Sequence, residues 1–210
     1  MIKILLADDH TIFREGLKQI FEDTPDLEVN GEASSPHEAL NILSRTDCDL
    51  VLLDISFPGR SGLDILKQIK SLKPKLPVLI LSMHPEEDYG VRSLRAGANG
   101  YLTKASEMDE LIKAIREVAR GKRYITPSLA DKLALELSES GIKLPHERLT
   151  DREFQVMCLI ASGKRIKDIA SLLSLSVKTV DTYRSRILKK MNLKNNVQLI
   201  RYALQKRLVE

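Results

Sequence analysis

The stretch LVLLDISFPG, residues 50 to 59, decides the reading of the fold. Four aliphatic residues, Leu50 to Leu53, run into a carboxylate at Asp54 and then into Pro58-Gly59. A short apolar run bounded by turn residues is the pattern of a strand buried on both faces. Asp54 therefore stands at, or just past, the carboxyl end of that strand. In an open parallel sheet this edge is where ligands bind.

Working outward, the first 125 residues alternate strand-like runs with segments of helical period. Strands are expected at Ile2 to Ala7, Leu27 to Gly31, Leu50 to Leu53, Val78 to Leu81 and Gly100 to Leu102. Helices are expected around 12–22, 36–44, 62–72, 86–96 and 107–120, with Ser35-Pro36 and Ser61 to Asp64 as helix starts and Gly97 and Gly121 as helix ends. Five strand-helix pairs imply an α/β, doubly wound, five-stranded parallel sheet. From Thr126 to His146 the pattern becomes a linker holding one amphipathic helix, SLADKLALEL, followed by Gly141 and Pro145. The remainder reads as a small all-α unit with helices near 151–162, 166–173, 177–191 and 195–206. The expected domains are 1–123, a linker over 124–146, and 147–210.

Bulk properties narrow the function. Hydrophobic residues make up 43% and charged residues 30%, as in a folded globular protein; aromatics are only 4% and Trp is absent, so the core must be aliphatic. No run approaches the roughly 18 apolar residues of a membrane span and the N-terminus has no signal-peptide pattern, so a cytoplasmic protein without a membrane partner is expected. Cys48 and Cys158 lack metal-ligand spacing and read as buried free thiols. Lys and Arg number 17 against 20 Asp and Glu over residues 1–125, but 14 against 6 over 147–210. An excess of positive charge confined to the C-terminal unit suits an anionic polymer as partner, although a solvated lysine-rich helical face would have the same composition.

The strand ends carry the chemistry. The first ends in Asp8-Asp9, the third in Asp54, the fourth in Ser82, and the fifth runs through Tyr101 to Lys104. Parallel strands bring these residues to one rim. Three carboxylates in one cleft repel each other unless a cation neutralises them. Mg²⁺, which accepts one or two carboxylates plus phosphate oxygens and keeps several waters, is the natural ion. With a hydroxyl at Ser82 and an ammonium at Lys104, the cleft has what a phosphoryl group requires, and Asp54 is placed to be the nucleophile. For His10 and His84, solvent-facing or local hydrogen-bonding roles are expected, because no zinc-type spacing surrounds them. Gly59 and Gly62 are expected to shape the loop after Asp54, and no GxGxxG or P-loop pattern is present.

ILLADDH, LVLLDISFPGRSG, LILS and GYLTK, in that order and spacing, resemble the receiver domain of bacterial response regulators over residues 1 to about 123. The resemblance implies phosphorylation on Asp54 by a histidine kinase. It also implies an Mg²⁺ site formed by Asp8, Asp9, Asp54 and the Ser56 carbonyl, and a switch made of Ser82 and Tyr101 with Lys104 at the phosphoryl group. Many receivers have proline after the lysine, in a cis bond, where this chain has Ala105. A cis bond before a non-proline residue costs about 2.5–4 kcal/mol, which leaves the isomer of the Lys104-Ala105 bond open.

In the basic unit, Thr150 and Glu153 form a capping box. IKDIASLLSLSVKTVDTYRSRI then reads as helix, turn, helix. Ile166, Ile169, Ala170 and Leu173 should face a core; so should Val177, Val180, Ile187, Leu188 and Met191 on the second helix, which in this plan enters the major groove. From LTDRE through SVKTV to LKKMNL the segment resembles the LuxR-type DNA-binding domain, and with a receiver before it the chain resembles the NarL/FixJ group. The resemblance implies contacts to double-stranded DNA by Lys178, Thr179, Asp181, Thr182, Ser185 and Lys189. Arg186 joins them on the exposed face. Lysine and arginine suit phosphates, and hydroxyls suit base edges. Arg184, turned toward the core by its spacing from Val180 and Ile187, is expected to pair with Glu153.

The combined expectation is a two-component response regulator, a transcription factor that forms a homodimer when phosphorylated, with RNA polymerase as a further partner. Phosphorylation would act through dimerisation or through release of the DNA-reading helix, and the residues leave both open. An Mg²⁺-dependent phosphatase is the rival. It would need a carboxyl two residues after the nucleophile, where Ser56 stands, so no enzymatic turnover is expected. A second rival is a phosphorylation-independent DNA-binding protein with a degenerate receiver.

Overall fold

The sheet starts with β1 (Ile2–Ala7), whose alternating side chains are buried on both faces from Ile4 onward. That burial pattern requires helices above and below. In the computed structural model, which describes residues 1–57, 62–138, 144–206 and 208–209, they are present. Five parallel strands, β1, β2 (Leu27–Ala33), β3 (Leu50–Leu53), β4 (Val78–Ser82) and β5 (Gly100–Thr103), lie in the order β2-β1-β3-β4-β5. Between them run α1 (Thr11–Glu22), α2 (Pro36–Arg45), α3 (Gly62–Leu72), α4 (Glu86–Arg95) and, after β5, α5 (Met108–Ala119).

On one face Ile4, Leu6, Leu50, Leu52, Leu79, Leu81 and Leu102 meet Leu17 and Phe21 of α1 and Leu111, Ala114, Ile115 and Val118 of α5. The alternate strand residues, Leu5, Ala7, Val51, Leu53 and Ile80, are buried on the opposite face. Strand order reverses between β1 and β3, so the rim above their carboxyl ends is the switch point where doubly wound sheets bind ligands. The β1/β3 register sets Ala7 opposite Leu53, which brings the residues after them, Asp8 and Asp54, to the same level.

The expected elements are found with ends shifted by one or two residues. Gly97 and Gly121 take φ of 105° and 79° just past α4 and α5, as helix-ending glycines do. The Pro58-Gly59 turn, the Ser61 helix start and Gly141 lie outside the described residues. The Lys104-Ala105 bond is trans, since no described peptide bond is cis. Cys48 and Cys158, expected to be buried, are half-buried.

Residues 1–57 and 62–134 belong to one compact unit, and Leu135–Glu210 to another. The division falls inside α6 (Pro127–Ser138), whose first turns are packed against α4. Leu129 is buried over Gly90, and the Thr126 hydroxyl donates to the Glu86 carboxylate. After α6 the described residues of the second unit form a short 3-10 turn at Pro145–Arg148 and four helices: α7 (Asp151–Ala161), α8 (Ile166–Leu172), α9 (Val177–Met191) and α10 (Asn196–Gln205). Side-chain caps start three of them. Thr150 and Glu153 form the expected box, Ser176 accepts from the Thr179 amide at 3.0 Å, and Asn195 accepts from the Gln198 amide at 3.0 Å.

Candidate functional site

Backbone bonds place the acidic residues before any side chain is considered. The Asp54 amide donates to the Ala7 carbonyl at 2.8 Å, the Asp8 amide to Ala33 at 3.0 Å, and the Lys104 amide to Ser82 at 2.7 Å. Each bond ties one strand end to its neighbour, so Asp8, Asp54, Ser82 and Lys104 share one rim.

At that rim the Lys104 ammonium lies 2.6 Å from Asp8 Oδ2 and 2.7 Å from Asp54 Oδ2, with the Lys104 side chain only 3% exposed and that of Asp54 fully buried. Desolvating these charges is costly, and the two close ion pairs are what offset it. The ammonium also sits 4.6 Å over the Phe13 ring. The Ser56 amide donates to Asp54 Oδ1 at 2.8 Å; its hydroxyl is 3.4 Å from that of Ser82, which accepts from the His84 amide at 3.2 Å. The Tyr101 ring is fully buried and its hydroxyl donates to the His84 carbonyl at 2.9 Å. His84 stacks on Tyr89 with ring centroids 4.7 Å apart, and burial pushes its imidazole pKa down.

His10 is half exposed and bonds locally, as expected: its Nδ1 lies 3.1 Å from oxygens of both Asp8 and Asp9, and 3.8 Å from Asp54 Oδ2. Sequence reasoning missed a neighbour of the site. Arg14 is buried beneath the rim and donates from Nη1 to the Asp8 carbonyl at 2.6 Å. Its helical spacing from Leu17 and Phe21, which puts it on the inner face of α1, is the signal that could have found it.

Gly62 opens α3 in van der Waals contact with the segment that carries Asp54. A Cβ on Gly62 would stand 2.2 Å from the Ile55 Cα, and its amide donates to the Ile55 carbonyl at 3.1 Å. Only glycine permits that approach.

In the second unit, α9 buries Val180, Ile187 and Met191. Lys178, Asp181, Thr182, Ser185, Arg186 and Lys189 are exposed, and Thr179 is half-buried. Val177, expected in the core, is 48% exposed at the first position of α9. Thr182 and Ser185 hydroxyls donate back to the Lys178 and Asp181 carbonyls at 2.8 and 3.0 Å. Lys and Arg outnumber Asp and Glu on this helix five to one.

Residues 4–116 match the family described as response regulator receiver domain, and residues 147–203 match the bacterial regulatory proteins of the luxR family. Response regulator UvrY of Escherichia coli is 35% identical over 206 residues, covering 98% of this chain and 94% of that protein. Response regulator GacA of Pseudomonas aeruginosa is 34% identical over 211 residues, covering 100% and 99%. Among solved structures, RcsB from Salmonella enterica serovar Typhimurium, bound to promoter rprA in the presence of the phosphomimetic BeF₃⁻, superposes with a TM-score of 0.65 at 25% identity, covering 96% of this chain and 98% of that one. The chain belongs to the NarL/FixJ response regulators.

As a response regulator it carries a receiver domain and a LuxR-type DNA-binding domain, and regulates transcription by binding DNA. Besides Val177, a second expectation about the DNA-binding domain of this response regulator is overturned. Arg184 does not reach Glu153; its guanidinium bonds Asp181 at 2.9 Å and approaches Asn196 Oδ1 at 3.5 Å. Glu153 instead receives Lys190, at 2.6 Å. The reason lies in direction: a helical side chain leans back toward the N-terminus, so Arg184 covers the turn holding Asp181, and Lys190, from the last turn of α9, reaches the start of α7.

Proposed function

We propose that Asp54 of this response regulator is the phosphoacceptor, that a histidine kinase is the donor, and that the acyl phosphate switches DNA binding by a homodimer. The observation that carries this reading is the pairing of the buried Asp54 carboxylate with Lys104 at a rim shared with Asp8, Asp9 and Ser82. Transfer forms a bond from an Asp54 oxygen to phosphorus and breaks the bond from phosphorus to the donor imidazole, which leaves with the electron pair and takes up a proton. Lys104 offsets charge on the phosphoryl oxygens, and the Ser82 hydroxyl donates to one of them.

The donor set suits a hard divalent cation. Asp9 Oδ1 is buried and makes no hydrogen bond, although the His10 ring is 3.1 Å away, and Asp8 and Asp54 oxygens converge beside it. Asp8, Asp9 and Asp54, with the Ser56 carbonyl, would hold Mg²⁺, which supplies positive charge for the phosphoryl oxygens when bound. Ser56, two residues past Asp54, offers no carboxyl to act as a general acid, which supports a switch over a phosphatase.

Ser82 and Tyr101 bracket the β4–α4 connection through His84, so a hydroxyl drawn toward a phosphoryl group acts directly on the segment leading into α4. On α9, Lys178, Arg186 and Lys189 are assigned to phosphates, and Thr179, Thr182 and Ser185 to base edges. No described helix is long and apolar enough to cross a membrane, and a DNA-binding regulator acts in the cytoplasm.

The test is exposure of the full chain to a small phosphodonor with Mg²⁺. A labile phosphate adduct on Asp54 and tighter promoter binding, both missing in Asp54→Ala, are expected. An adduct elsewhere, or DNA affinity indifferent to the donor, would sink the reading.

A further inference from the structure

The geometry points to His10 as a fourth side-chain donor to the cation site, giving a mixed nitrogen and oxygen pocket that prefers first-row transition ions over Mg²⁺ more strongly than carboxylates alone would. The inference rests on the reading of Asp8, Asp9 and Asp54 as the metal-holding group.

Octahedral ligands at about 2.1 Å from an ion stand about 3.0 Å apart along each edge and about 4.2 Å across the centre. His10 Nδ1 lies 3.1 Å from Asp8 Oδ1 and 3.1 Å from Asp9 Oδ1, two separations that match octahedral edges. The third, 3.8 Å to Asp54 Oδ2, falls between edge and diagonal, and ligand atoms of all four residues lie within 4.8 Å of one another. One ion can therefore touch the imidazole and all three carboxylates with small adjustments. Asp8 divides its oxygens suitably: Oδ1 faces His10, while Oδ2 is the one held by Lys104. Ligation through Oδ1 leaves that ion pair intact, but the Lys104 ammonium, 3.4 Å from His10 Nδ1 and 2.7 Å from Asp54 Oδ2, has to draw back from both as the ion enters.

The backbone holds the ring over the pocket. His10 caps α1 in an extended conformation, φ −82° and ψ 96°; its amide donates to Asp8 Oδ1 at 2.8 Å and its carbonyl accepts from the Arg14 amide at 3.0 Å. The chain direction at the start of α1 thus turns the imidazole back toward the carboxylates. Imidazole favours the later first-row ions, whose affinities rise from Mn²⁺ through Co²⁺ to Ni²⁺, whereas Mg²⁺ gains little from nitrogen.

The experiment uses the full chain with Co²⁺, Mn²⁺ and Mg²⁺ as probes, comparing wild type, His10→Ala and Asp9→Asn. In wild type, pulsed EPR of bound Mn²⁺ should show nitrogen coupling, and His10→Ala should abolish it. His10→Ala should weaken Co²⁺ about tenfold or more and leave Mg²⁺ within about twofold. Circular dichroism of His10→Ala, expected to match wild type, separates ligand loss from misfolding. Absence of nitrogen coupling in wild type, or equal loss of Co²⁺ and Mg²⁺ affinity in His10→Ala, would overturn the inference while leaving the carboxylate site in place. Wild-type affinity for both ions in Asp9→Asn would instead overturn the carboxylate reading itself.

Discussion

Lys104 Nζ lies 2.7 Å from Asp54 Oδ2, and neither side chain is more than 3% exposed. Asp8 Oδ2 is 2.6 Å from the same ammonium, so the lysine neutralises two carboxylates at once. Removing one partner of a buried pair leaves a bare charge and costs about 3–5 kcal/mol, whereas removing the third charge of a triad leaves the other two paired. Lys104→Met should therefore lower receiver stability by about 3 kcal/mol in metal-free buffer, and Mg²⁺ should recover part of the loss. Asp54→Asn should cost much less, because Asp8 keeps the lysine. Urea unfolding of both variants with and without Mg²⁺ decides; equal losses would mean the pairing is not triadic.

Gly62→Ala should be among the most damaging small substitutions in the receiver. The new methyl would stand 2.2 Å from backbone at Ile55, which cannot yield without moving Asp54 beside it. Overpacking costs about 1–3 kcal/mol and more where backbone must shift. Gly16→Ala is the control: nothing lies within 4 Å of its added methyl, and inside α1 it should gain about 0.5–1 kcal/mol. Thermal melts should move in opposite directions, and Gly62→Ala should also slow uptake of phosphate from a small donor. A neutral Gly62→Ala would show that this approach does not position Asp54.

Most of the fold was legible because it rests on local patterns. Leu50 to Leu53 could be read as a buried strand from four residues, and Gly97 and Gly121 marked helix ends by their freedom at positive φ. β2 was read two residues short, since Glu32 is polar on an edge strand that needs only one covered face. The rim residues Asp8, Asp54, Ser82 and Lys104 followed from strand direction alone. The partner of Arg184 and the exposure of Val177 did not, because periodicity fixes the face of a helix and not the direction in which a side chain leaves it. Periodicity turns Arg184 toward the inner side of α9, but the side chain is a third exposed and bonds Asp181, and Lys190 is the residue that reaches Glu153.

The Glu153–Lys190 pair makes the acid stability of the DNA-binding unit predictable in sign. Burial pushes the Glu153 carboxyl up, but the Lys190 ammonium and the Thr150 amide and hydroxyl together outweigh it, leaving the pKa below the ordinary carboxylate range. A depressed carboxylate contributes stability that is present above its unfolded pKa of about 4.3 and is lost as pH falls through the folded value. Glu153→Gln should thus destabilise at pH 7 and converge with wild type in acid. Lys190→Met should lower the urea midpoint more than Arg184→Met does, since Arg184 forms its ion pair with exposed Asp181 and adds only a long bond, 3.5 Å, to Asn196. A larger effect from Arg184 would restore the pairing that the fold argues against.

The polar face of α9 predicts two kinds of DNA-binding variant. Lys178, Arg186 and Lys189 are exposed cations, and each one that neutralises a phosphate should, when changed to Ala, reduce the slope of log affinity against log salt by about 1. Thr182 and Ser185 behave differently because their hydroxyl protons are already given to the Lys178 and Asp181 carbonyls. What they have left is acceptor lone pairs, which in the major groove suit the amino groups of adenine and cytosine. Thr182→Val and Ser185→Ala should leave the salt slope unchanged and relax base preference at one position each, at a cost of about 1–3 kcal/mol on the preferred site. Asp181, held by Arg184 at 2.9 Å, should tolerate Asn with little change in either quantity. Binding titrations over a salt series on specific and scrambled duplexes separate the classes. If Thr182→Val instead flattens the salt slope as a lysine variant does, α9 does not lie in the groove with this face toward the bases.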